Sequence, residues 1–397
     1  MKPISATAKS IAPSATLDID TLAKQMKADG IDVIAFGAGE PDFNTPEHIK
    51  EAGIEAIRAN KTRYTPASGL PALKSAICSS IEKQFGLKYE NKNICVSSGA
   101  KHIVYVSVMA LVNPGDEVIL PAPYWVTYME IIRMAGGVPV VIDTDERTHF
   151  KLTPEMLESA VTEKTKCLLL NNPSNPTGMV YTRQELLNLM EVVKKHDLYV
   201  ISDEIYNTLT YGCTHTCLPT LDEDIKNRTI LIDGLSKTYA MTGWRVGYSA
   251  ANEEITKAMS NYLSHSTGST CTISQYAGME ALVNNTDEAE QMRLAFDERR
   301  QYFLRRIAQI QGVSCIEPEG AFYIFMNIKQ QLGKTFFGEK VETSAQFAQS
   351  LLKNGLVAVV PGGAFGAEGY IRWSYATSMD AIRTGLDRFE QFLKQGK

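Results

Sequence analysis

Short apolar runs alternate with longer stretches of helical periodicity through the middle of this chain of 397 residues. The apolar runs, which are interpreted as strands, are residues 94–97, 117–120, 138–142, 167–170, 199–202 and 229–232. Helical patterns such as 101–111, 183–195 and 252–263 lie between or after them. Strands that are apolar almost throughout are typical of a parallel sheet covered by helices on both faces. The alternation therefore predicts an α/β fold built from βαβ units.

The pattern changes after a long, charged helical stretch at about residues 287–311. Shorter mixed segments follow it, namely strands at 322–328, 357–360 and 370–375 and helices at 344–354 and from Met379 onward. The first 45 residues hold one helix, 18–29, and one strand, 33–36, which we expect to pack on this later part. The sequence thus predicts a large α/β domain of residues 46–287 and a smaller α+β domain of residues 1–45 and 288–397, including an N-terminal arm.

The composition and charge argue against nucleic-acid and membrane partners. The formal net charge is -5, and Lys and Arg form no block. No apolar run approaches the roughly 18–20 residues needed to cross a bilayer, and the N-terminus lacks the apolar core of a signal peptide. The seven cysteines are scattered and several lie in apolar runs, which is typical of small core residues in a reducing compartment. We therefore expect a cytoplasmic protein.

One cluster of potential metal ligands needs a separate interpretation. Cys213, His215 and Cys217 lie two residues apart. A second ligand pair at the spacing of a zinc site is missing from the sequence. We interpret the segment as a plain surface loop and expect no metal.

The ends of four apolar runs bring polar residues to one edge of the predicted sheet. In open α/β sheets the ligand lies beyond the carboxyl ends of the strands. Two of these runs lead to Gly99-Ala100 and to an Asn- and Pro-rich stretch that contains Asn175. The other two lead to Asp203 and to Lys237. This combination suits a phosphorylated cofactor with a ring nitrogen.

Each of these residues has a chemical property that suits cofactor binding, and most of them also have a simpler structural interpretation. The Gly99-Ala100 turn offers backbone N–H groups and a positive dipole end to an anion, although a tight turn without a ligand is as good an interpretation. Asp203 either caps a helix or keeps a pyridine nitrogen protonated. A partly desolvated Lys237 has the lowered pKa that a Schiff-base nucleophile needs, and Arg245 has the fork to bind a phosphate bidentately. Neither common nucleotide-binding glycine motif is present.

Residues 234–247, which are Gly-Leu-Ser-Lys-Thr-Tyr-Ala-Met-Thr-Gly-Trp-Arg-Val-Gly, resemble the attachment signature for pyridoxal 5′-phosphate (PLP) in class I aminotransferases of fold type I. Other segments that resemble this family in the expected order are 36–43, 63–69, 121–128, 172–178, 202–206 and 370–375. The resemblance covers nearly the whole chain. It implies a PLP-dependent transferase with a mostly parallel seven-stranded sheet between helices in the large domain.

The resemblance implies roles around the cofactor ring. Lys237 would hold PLP through a Schiff base and then move the substrate proton. Asp203 would partner the pyridine nitrogen, while Tyr206 and Asn175 would donate hydrogen bonds to the phenolic oxygen. Trp125 would stack on the ring, with a core tryptophan as the alternative.

The resemblance also implies a phosphate site. Its residues would be Gly99, Ala100, Ser236, Arg245 and, from the neighbouring subunit of a homodimer, Tyr64. Gly234 departs from the family pattern, in which many members have a hydroxyl residue. Phosphate binding would therefore depend on Ser236 and Arg245.

The implied substrate site binds two carboxylates. Arg372 would bind the α-carboxylate with help from Asn175 and the backbone at Gly39, and Trp125 would lie beside the substrate. Residues 13–16 and 98–101 resemble the bacterial aspartate aminotransferase subgroup, in which a lysine at the position of Lys101 meets the distal carboxylate. An exposed lysine in the first turn of a helix is the alternative.

The expected reaction is transamination between L-aspartate and 2-oxoglutarate, giving oxaloacetate and L-glutamate. An aromatic amino acid or prephenate aminotransferase of the same fold is the alternative, and a PLP-dependent carbon–sulfur lyase is a more distant one. A non-catalytic PLP-sensing regulator would need a DNA-binding module, for which we expect no room before Ser14.

Overall fold

The computed structural model describes residues 2–11, 15–284 and 287–397. Within these residues the strands are, in chain order, β1 (Ile34–Ala35), β2 (Ile94–Ser97), β3 (Glu117–Ala122), β4 (Val138–Asp143), β5 (Thr165–Asn171), β6 (Tyr199–Asp203), β7 (Thr229–Gly234), β8 (Gly247–Ala250), β9 (Ser314–Cys315), β10 (Tyr323–Asn327), β11 (Thr335–Phe336), β12 (Glu339–Lys340), β13 (Val357–Ala358), β14 (Val360–Pro361) and β15 (Tyr370–Ser374).

The α-helices of the same residues are α1 (Ala6–Ser10), α2 (Ala15–Ala28), α3 (Glu47–Arg58), α4 (Pro71–Phe85), α5 (Ala100–Leu111), α6 (Thr127–Met134), α7 (Pro154–Ala160), α8 (Arg183–Lys195), α9 (Glu223–Arg228), α10 (Glu253–Ser266), α11 (Thr272–Val283), α12 (Glu288–Ile307), α13 (Ser344–Gly355) and α14 (Met379–Leu393). Local signals set several of their ends. At α8, for example, Thr182 and Glu185 accept each other's backbone N–H in a capping box. No described helix is both long and apolar enough to cross a membrane.

The main sheet has seven strands in the order β2-β8-β7-β6-β5-β3-β4. Its pairs are parallel except where β8 lies antiparallel between β2 and β7. The six strands predicted for this region are present, and most of them extend further toward the carboxyl end. Buried aliphatic side chains on both faces, such as Ile201 and Val200, belong to two different core clusters. The predicted α/β fold with a mostly parallel sheet is confirmed.

The seventh strand, β8, was not located by the apolar pattern. Its residues Gly247–Ala250 are short and only weakly apolar, and no long helix precedes them. The chain turns back after β7 and pairs Gly234 with Gly247, which makes the strand antiparallel. A Cβ on Gly247 would lie 2.2 Å from the Ala100 nitrogen, so glycine lets β8 approach the beginning of α5.

A second, antiparallel sheet has the order β14-β15-β10-β9. The predicted single strand at 357–360 is wrong, because the chain changes sheet at Val359. Before it, β13 pairs in parallel with β1 near the N-terminus, and after it, β14 pairs with β15. The division at 45/46 and 287/288 into two domains stays a prediction.

An aromatic core lies behind this second sheet and reaches the end of the main sheet. Phe36 packs on Trp373 with ring centroids 4.7 Å apart, and Phe322 packs on Tyr206 at 5.5 Å. Tyr206 follows β6, whereas Phe322 precedes β10, so this contact joins the two sheets. The aromatic packing thereby fixes the wall of the cavity described below.

Candidate active site

A cavity of about 430 Å³ lies at the carboxyl ends of β5, β6 and β7. The predicted site residues that line it are Gly39, Ala100, Lys101, Trp125, Asn175, Asp203, Tyr206, Ser236, Lys237, Arg245 and Arg372. They come from the main sheet, the N-terminal segment and the second sheet. The fold therefore brings together most of the side chains that the sequence singled out.

Lys237 lies three residues after the end of β7 and is half-buried. Its Nζ donates a hydrogen bond to the Gly39 carbonyl at 2.5 Å and lies 6.0 Å from the ring centre of Tyr206. Burial lowers the pKa of Lys237 to about 8, against the opposing effect of the negative charge of Glu40. An amine with this pKa is partly unprotonated at neutral pH and can act as a nucleophile or base.

Asp203 ends β6 and is buried. Its Oδ2 accepts a hydrogen bond from the Tyr128 hydroxyl at 2.6 Å, and its Oδ1 accepts one from the Ile205 backbone N–H at 3.2 Å. Burial raises the pKa of Asp203 to about 6, while these two hydrogen bonds oppose the shift. The carboxyl is thus mostly ionised at neutral pH and can still accept a strong charge-assisted hydrogen bond from the cavity.

Arg372 lies on β15 with only 3% of its surface exposed. Its Nη1 donates to Asn175 Oδ1 at 3.0 Å and its Nη2 to the Gly37 carbonyl at 2.7 Å. Its guanidinium stacks 4.5 Å from the Tyr323 ring centre and 5.0 Å from that of Phe365. The buried Nε has no hydrogen-bond partner in the structure. Two aromatic faces therefore hold a cation that retains capacity for an anion.

An anion corner, formed by Gly99, Ala100, Ser236 and Arg245, lies at the beginning of α5. Gly99 precedes the helix with a φ of 87°, a conformation that favours glycine. A Cβ at this position would lie 2.5 Å from Arg245 Nη2. Arg245 donates to the carbonyls of Thr242 at 2.9 Å and Ser98 at 3.3 Å. The corner combines a guanidinium with the first N–H groups of a helix, which suits a phosphate.

Lys101 lies in the first turn of α5 beside this corner. Its Nζ is 5.0 Å from the ring centre of Trp125. Burial, and then the positive charge of Arg245, lower the pKa of Lys101. Lys101 is exposed in the first turn of the helix, as the predicted alternative has it, and it also lies in the cavity wall beside an aromatic face. Its role toward a distal carboxylate stays a prediction.

Some of the predicted residues lie apart from the cavity wall or outside the residues that the structure describes. Tyr64 lies between α3 and α4 with 97% of its surface exposed. Its contact with a neighbouring subunit stays a prediction. Pro13 and Ser14, which contributed to the resemblance, lie outside the described residues.

Several side chains of the cavity were not predicted from the sequence. Tyr128 donates to Asp203, and Tyr323 exchanges a hydrogen bond with the Tyr206 hydroxyl at 2.9 Å. Glu40 accepts from the Thr242 hydroxyl at 2.9 Å. Tyr128 follows Trp125 at helical spacing, and that signal would have found it. Tyr323 comes from the other sheet and has no local signal.

Residues 213–217 form a loop, as interpreted, but only part of this loop lies at the surface. The side chain of His215 is 4% exposed, and its Nε2 lies 2.6 Å from Oε2 of the buried Glu204. Cys217 is also buried. Among the residues that the structure describes, no group of three or more side chains is arranged to hold a metal ion.

The residues of the cavity fit PLP. Lys237 is an amine with a lowered pKa, and Asp203 is a buried carboxylate for a ring nitrogen. The anion corner suits the phosphate, since a Cβ on Gly99 would fill the space beside the guanidinium. Trp125 supplies an aromatic face in the same wall. Each functional group of the cofactor thus has a side chain of matching chemistry.

Comparison with known proteins agrees with this chemistry. Residues 31–389 match the family model described as aminotransferase class I and II. The chain is 46% identical to the aspartate aminotransferase of Geobacillus stearothermophilus, over 97% of each chain. It is 43% identical to the aspartate/prephenate aminotransferase of Cereibacter sphaeroides, over 98% of each chain. The solved aspartate aminotransferase of Thermus thermophilus with maleate superposes with a TM-score of 0.93, at 38% identity, over 99% of this chain and 100% of the other. The chain belongs to the class I and II aminotransferase family.

Proposed function

We propose that this aminotransferase moves an amino group between L-aspartate and 2-oxoglutarate, giving oxaloacetate and L-glutamate. The observation that supports this choice is the presence of two cations, Arg372 and Lys101, in the wall of the cavity that contains Lys237. All four compounds have two carboxylates. The names of the relatives from Geobacillus and Thermus agree with the proposal.

PLP, the cofactor of this family, supplies an electron sink when it is bound at this site. Lys237 would hold it and, once free, its Nζ would take the proton from the substrate Cα and deliver it to the C4′ carbon of the cofactor. Its pKa of about 8 suits both directions, because each protonation state is available near neutral pH. Asp203 would hold a proton on the ring nitrogen, since a buried carboxylate stabilises that positive charge.

The other residues would bind and orient. Arg245, with Ser236 and the N–H groups at the beginning of α5, would hold the phosphate. Tyr206 and Asn175 would donate to the phenolic oxygen, and Trp125 would cover one face of the ring. The hydrogen bond between the hydroxyls of Tyr206 and Tyr323 holds the Tyr206 hydroxyl at the cavity.

The two substrate carboxylates would meet different cations. Arg372 would bind the α-carboxylate with a planar fork that its neighbours already orient. The backbone at Gly39 would assist. Lys101 would attract the distal carboxylate, which lies at the other end of the substrate. A substrate with one carboxylate would use Arg372 alone.

Prephenate is a second candidate substrate. The Cereibacter relative is named an aspartate/prephenate aminotransferase. Prephenate also has two carboxylates, and the Trp125 face beside Lys101 suits its unsaturated ring. The same cavity residues would bind aspartate and prephenate, so a direct measurement must distinguish the two substrates.

We also propose a homodimer in the cytoplasm. The Tyr64 ring supports the first part, because its 97% exposure leaves it free to contact a neighbouring subunit. The seven free cysteines support the second part, since they suit a reducing compartment. Measurement of the molecular mass in solution, for the wild type and Tyr64→Ser, would test the dimer.

A panel of amino donors with 2-oxoglutarate would test the proposed reaction. The change in the visible absorbance of the bound cofactor reports amino transfer from each donor. We expect aspartate and glutamate to react fastest and alanine slowly. Equal rates for all donors would contradict a dicarboxylate site, and pyruvate released from cystathionine without an acceptor would indicate a carbon–sulfur lyase.

A further inference from the structure

The buried pair of Glu204 and His215 has no role in the proposed reaction. Glu204 follows Asp203 in the chain, but it does not line the cavity. Its side chain is 1% exposed, and that of His215 is 4% exposed. A charged group buried to this degree is costly unless it is paired, which calls for an explanation of the pair.

Several donors surround the Glu204 carboxyl group. Its Oε1 accepts from the Ser202 hydroxyl at 2.8 Å and from the Leu218 backbone N–H at 3.0 Å. Its Oε2 lies 2.6 Å from His215 Nε2. The Cys217 thiol is also hydrogen-bonded to it, and burial followed by the Glu204 charge raises the pKa of that thiol. Both oxygens of the buried carboxyl group therefore have hydrogen-bond partners, which fix its position.

The other ring nitrogen of His215 indicates which proton the pair holds. Nδ1 is buried and has no hydrogen-bond partner in the structure. A buried N–H without an acceptor is rarer than a bare lone pair. The favoured arrangement is therefore one in which the Nε2–H donates to Glu204.

The Glu204 charge acts on the cavity through Asp203. The Ile232 carbonyl accepts from the Glu204 backbone N–H at 2.9 Å, and the Asn172 backbone N–H donates to the Asp203 carbonyl at 3.0 Å, so the two residues have fixed positions. Burial is the main cause of the raised pKa of Asp203, and the negative charge of Glu204 adds to it. A second negative charge close to Asp203 favours a protonated group on the cavity side of the Asp203 carboxylate.

We propose that Glu204 is a positioning residue whose carboxylate, held in place by its hydrogen bond with His215, helps Asp203 to hold a proton on the ring nitrogen of PLP. The inference rests on the proposed role of Asp203. It adds a residue outside the cavity to the electrostatics of the cofactor. Its test needs a ligand with and without that nitrogen.

The test compares the binding of PLP and of its 1-deaza analogue, which has a C–H group in place of the ring nitrogen, to the full-length apoprotein. Glu204→Gln should weaken PLP relative to the analogue by roughly tenfold, the order of magnitude expected when one nearby charge is removed. His215→Leu, which removes the donor, should act in the same direction. His215→Gln retains an N–H donor and should restore most of the discrimination.

A matched control is the contact between Glu158 and His196, with Oε1 and Nε2 3.0 Å apart, which is half-exposed and outside the cavity wall. Glu158→Gln should leave both affinities unchanged. Thermal melting of each apoprotein identifies any variant that does not fold. If Glu204→Gln does not fold, the two His215 variants test the effect of the Glu204 charge in its place. Equal weakening of both ligands in Glu204→Gln would overturn the proposal and leave Glu204 a structural residue. Failure of the wild type to bind PLP would instead refute the proposed function.

Discussion

The proposed distal-carboxylate site depends on one side chain, Lys101, and can be tested by removing its charge alone. Lys101→Met keeps most of the apolar stem against Trp125, whose ring centre lies 5.0 Å from the Lys101 Nζ. The variant should lose activity with aspartate and glutamate. It should retain activity with alanine and phenylalanine, which have no second carboxylate.

The size of the effect follows from the position of the lysine. An ammonium and a carboxylate about 4 Å apart attract by about 4 kcal/mol at an effective dielectric constant of about 20. Lys101 is exposed in the open cavity, so contact with solvent reduces this attraction to roughly 2 kcal/mol. The expected loss in kcat/KM for aspartate is therefore about 30-fold.

The assay measures kcat/KM for aspartate and phenylalanine in the wild type, Lys101→Met and Arg372→Lys. Arg372→Lys should weaken both donors, because an ammonium cannot reproduce the planar fork that contacts Asn175 and Gly37. Equal losses for the two donors in Lys101→Met would refute the reasoning. They would indicate that Lys101, whose pKa is lowered by burial and then by the Arg245 charge, serves the phosphate instead.

Three further predictions concern the proposed roles of Lys237 and Asp203. Lys237→Ala should abolish turnover and covalent attachment of PLP, and a borohydride-reducible adduct in this variant would place the attachment elsewhere. Asp203→Asn should still bind PLP but lose several orders of magnitude in kcat, so a loss below about tenfold, or roughly 1.4 kcal/mol, would contradict the role of the carboxylate. The rate of PLP attachment to the apoprotein should rise with pH up to about 8 and then level off, because the unprotonated Lys237 amine reacts and burial has lowered its pKa to about that value. A rate that keeps rising to pH 10 would show an unshifted amine.

The sequence predicted those cavity residues whose positions follow from their order along the chain. Apolar runs that end in Asp203 and Lys237 place these residues at one edge of a parallel sheet, because every such strand ends on the same side. The resemblance supplied Arg372, which belongs to a different sheet. The structure places it in the same cavity.

Other features depend on contacts that local patterns do not encode. Tyr323 reaches Tyr206 across 117 positions of the chain, and no spacing relates the two. His215 is buried because Glu204 offers it a carboxylate, whereas its own neighbours in the sequence are polar. The strand break at Val359 arises from competition between two partner strands, β1 and β15. Such choices are decided by tertiary packing rather than by propensity.

The packing between the two sheets also explains why the acid and the amine of this site are matched. Burial raises the pKa of Asp203 to about 6 and lowers that of Lys237 to about 8, since desolvation disfavours whichever form is charged. The rings of Tyr206 and Phe322 lie within 6.0 Å and 5.9 Å of the Lys237 Nζ and form part of the same aromatic core. One desolvated wall thus moves both pKa values toward neutrality from opposite directions. This is the range in which an ionised carboxylate and an exchangeable amine proton coexist.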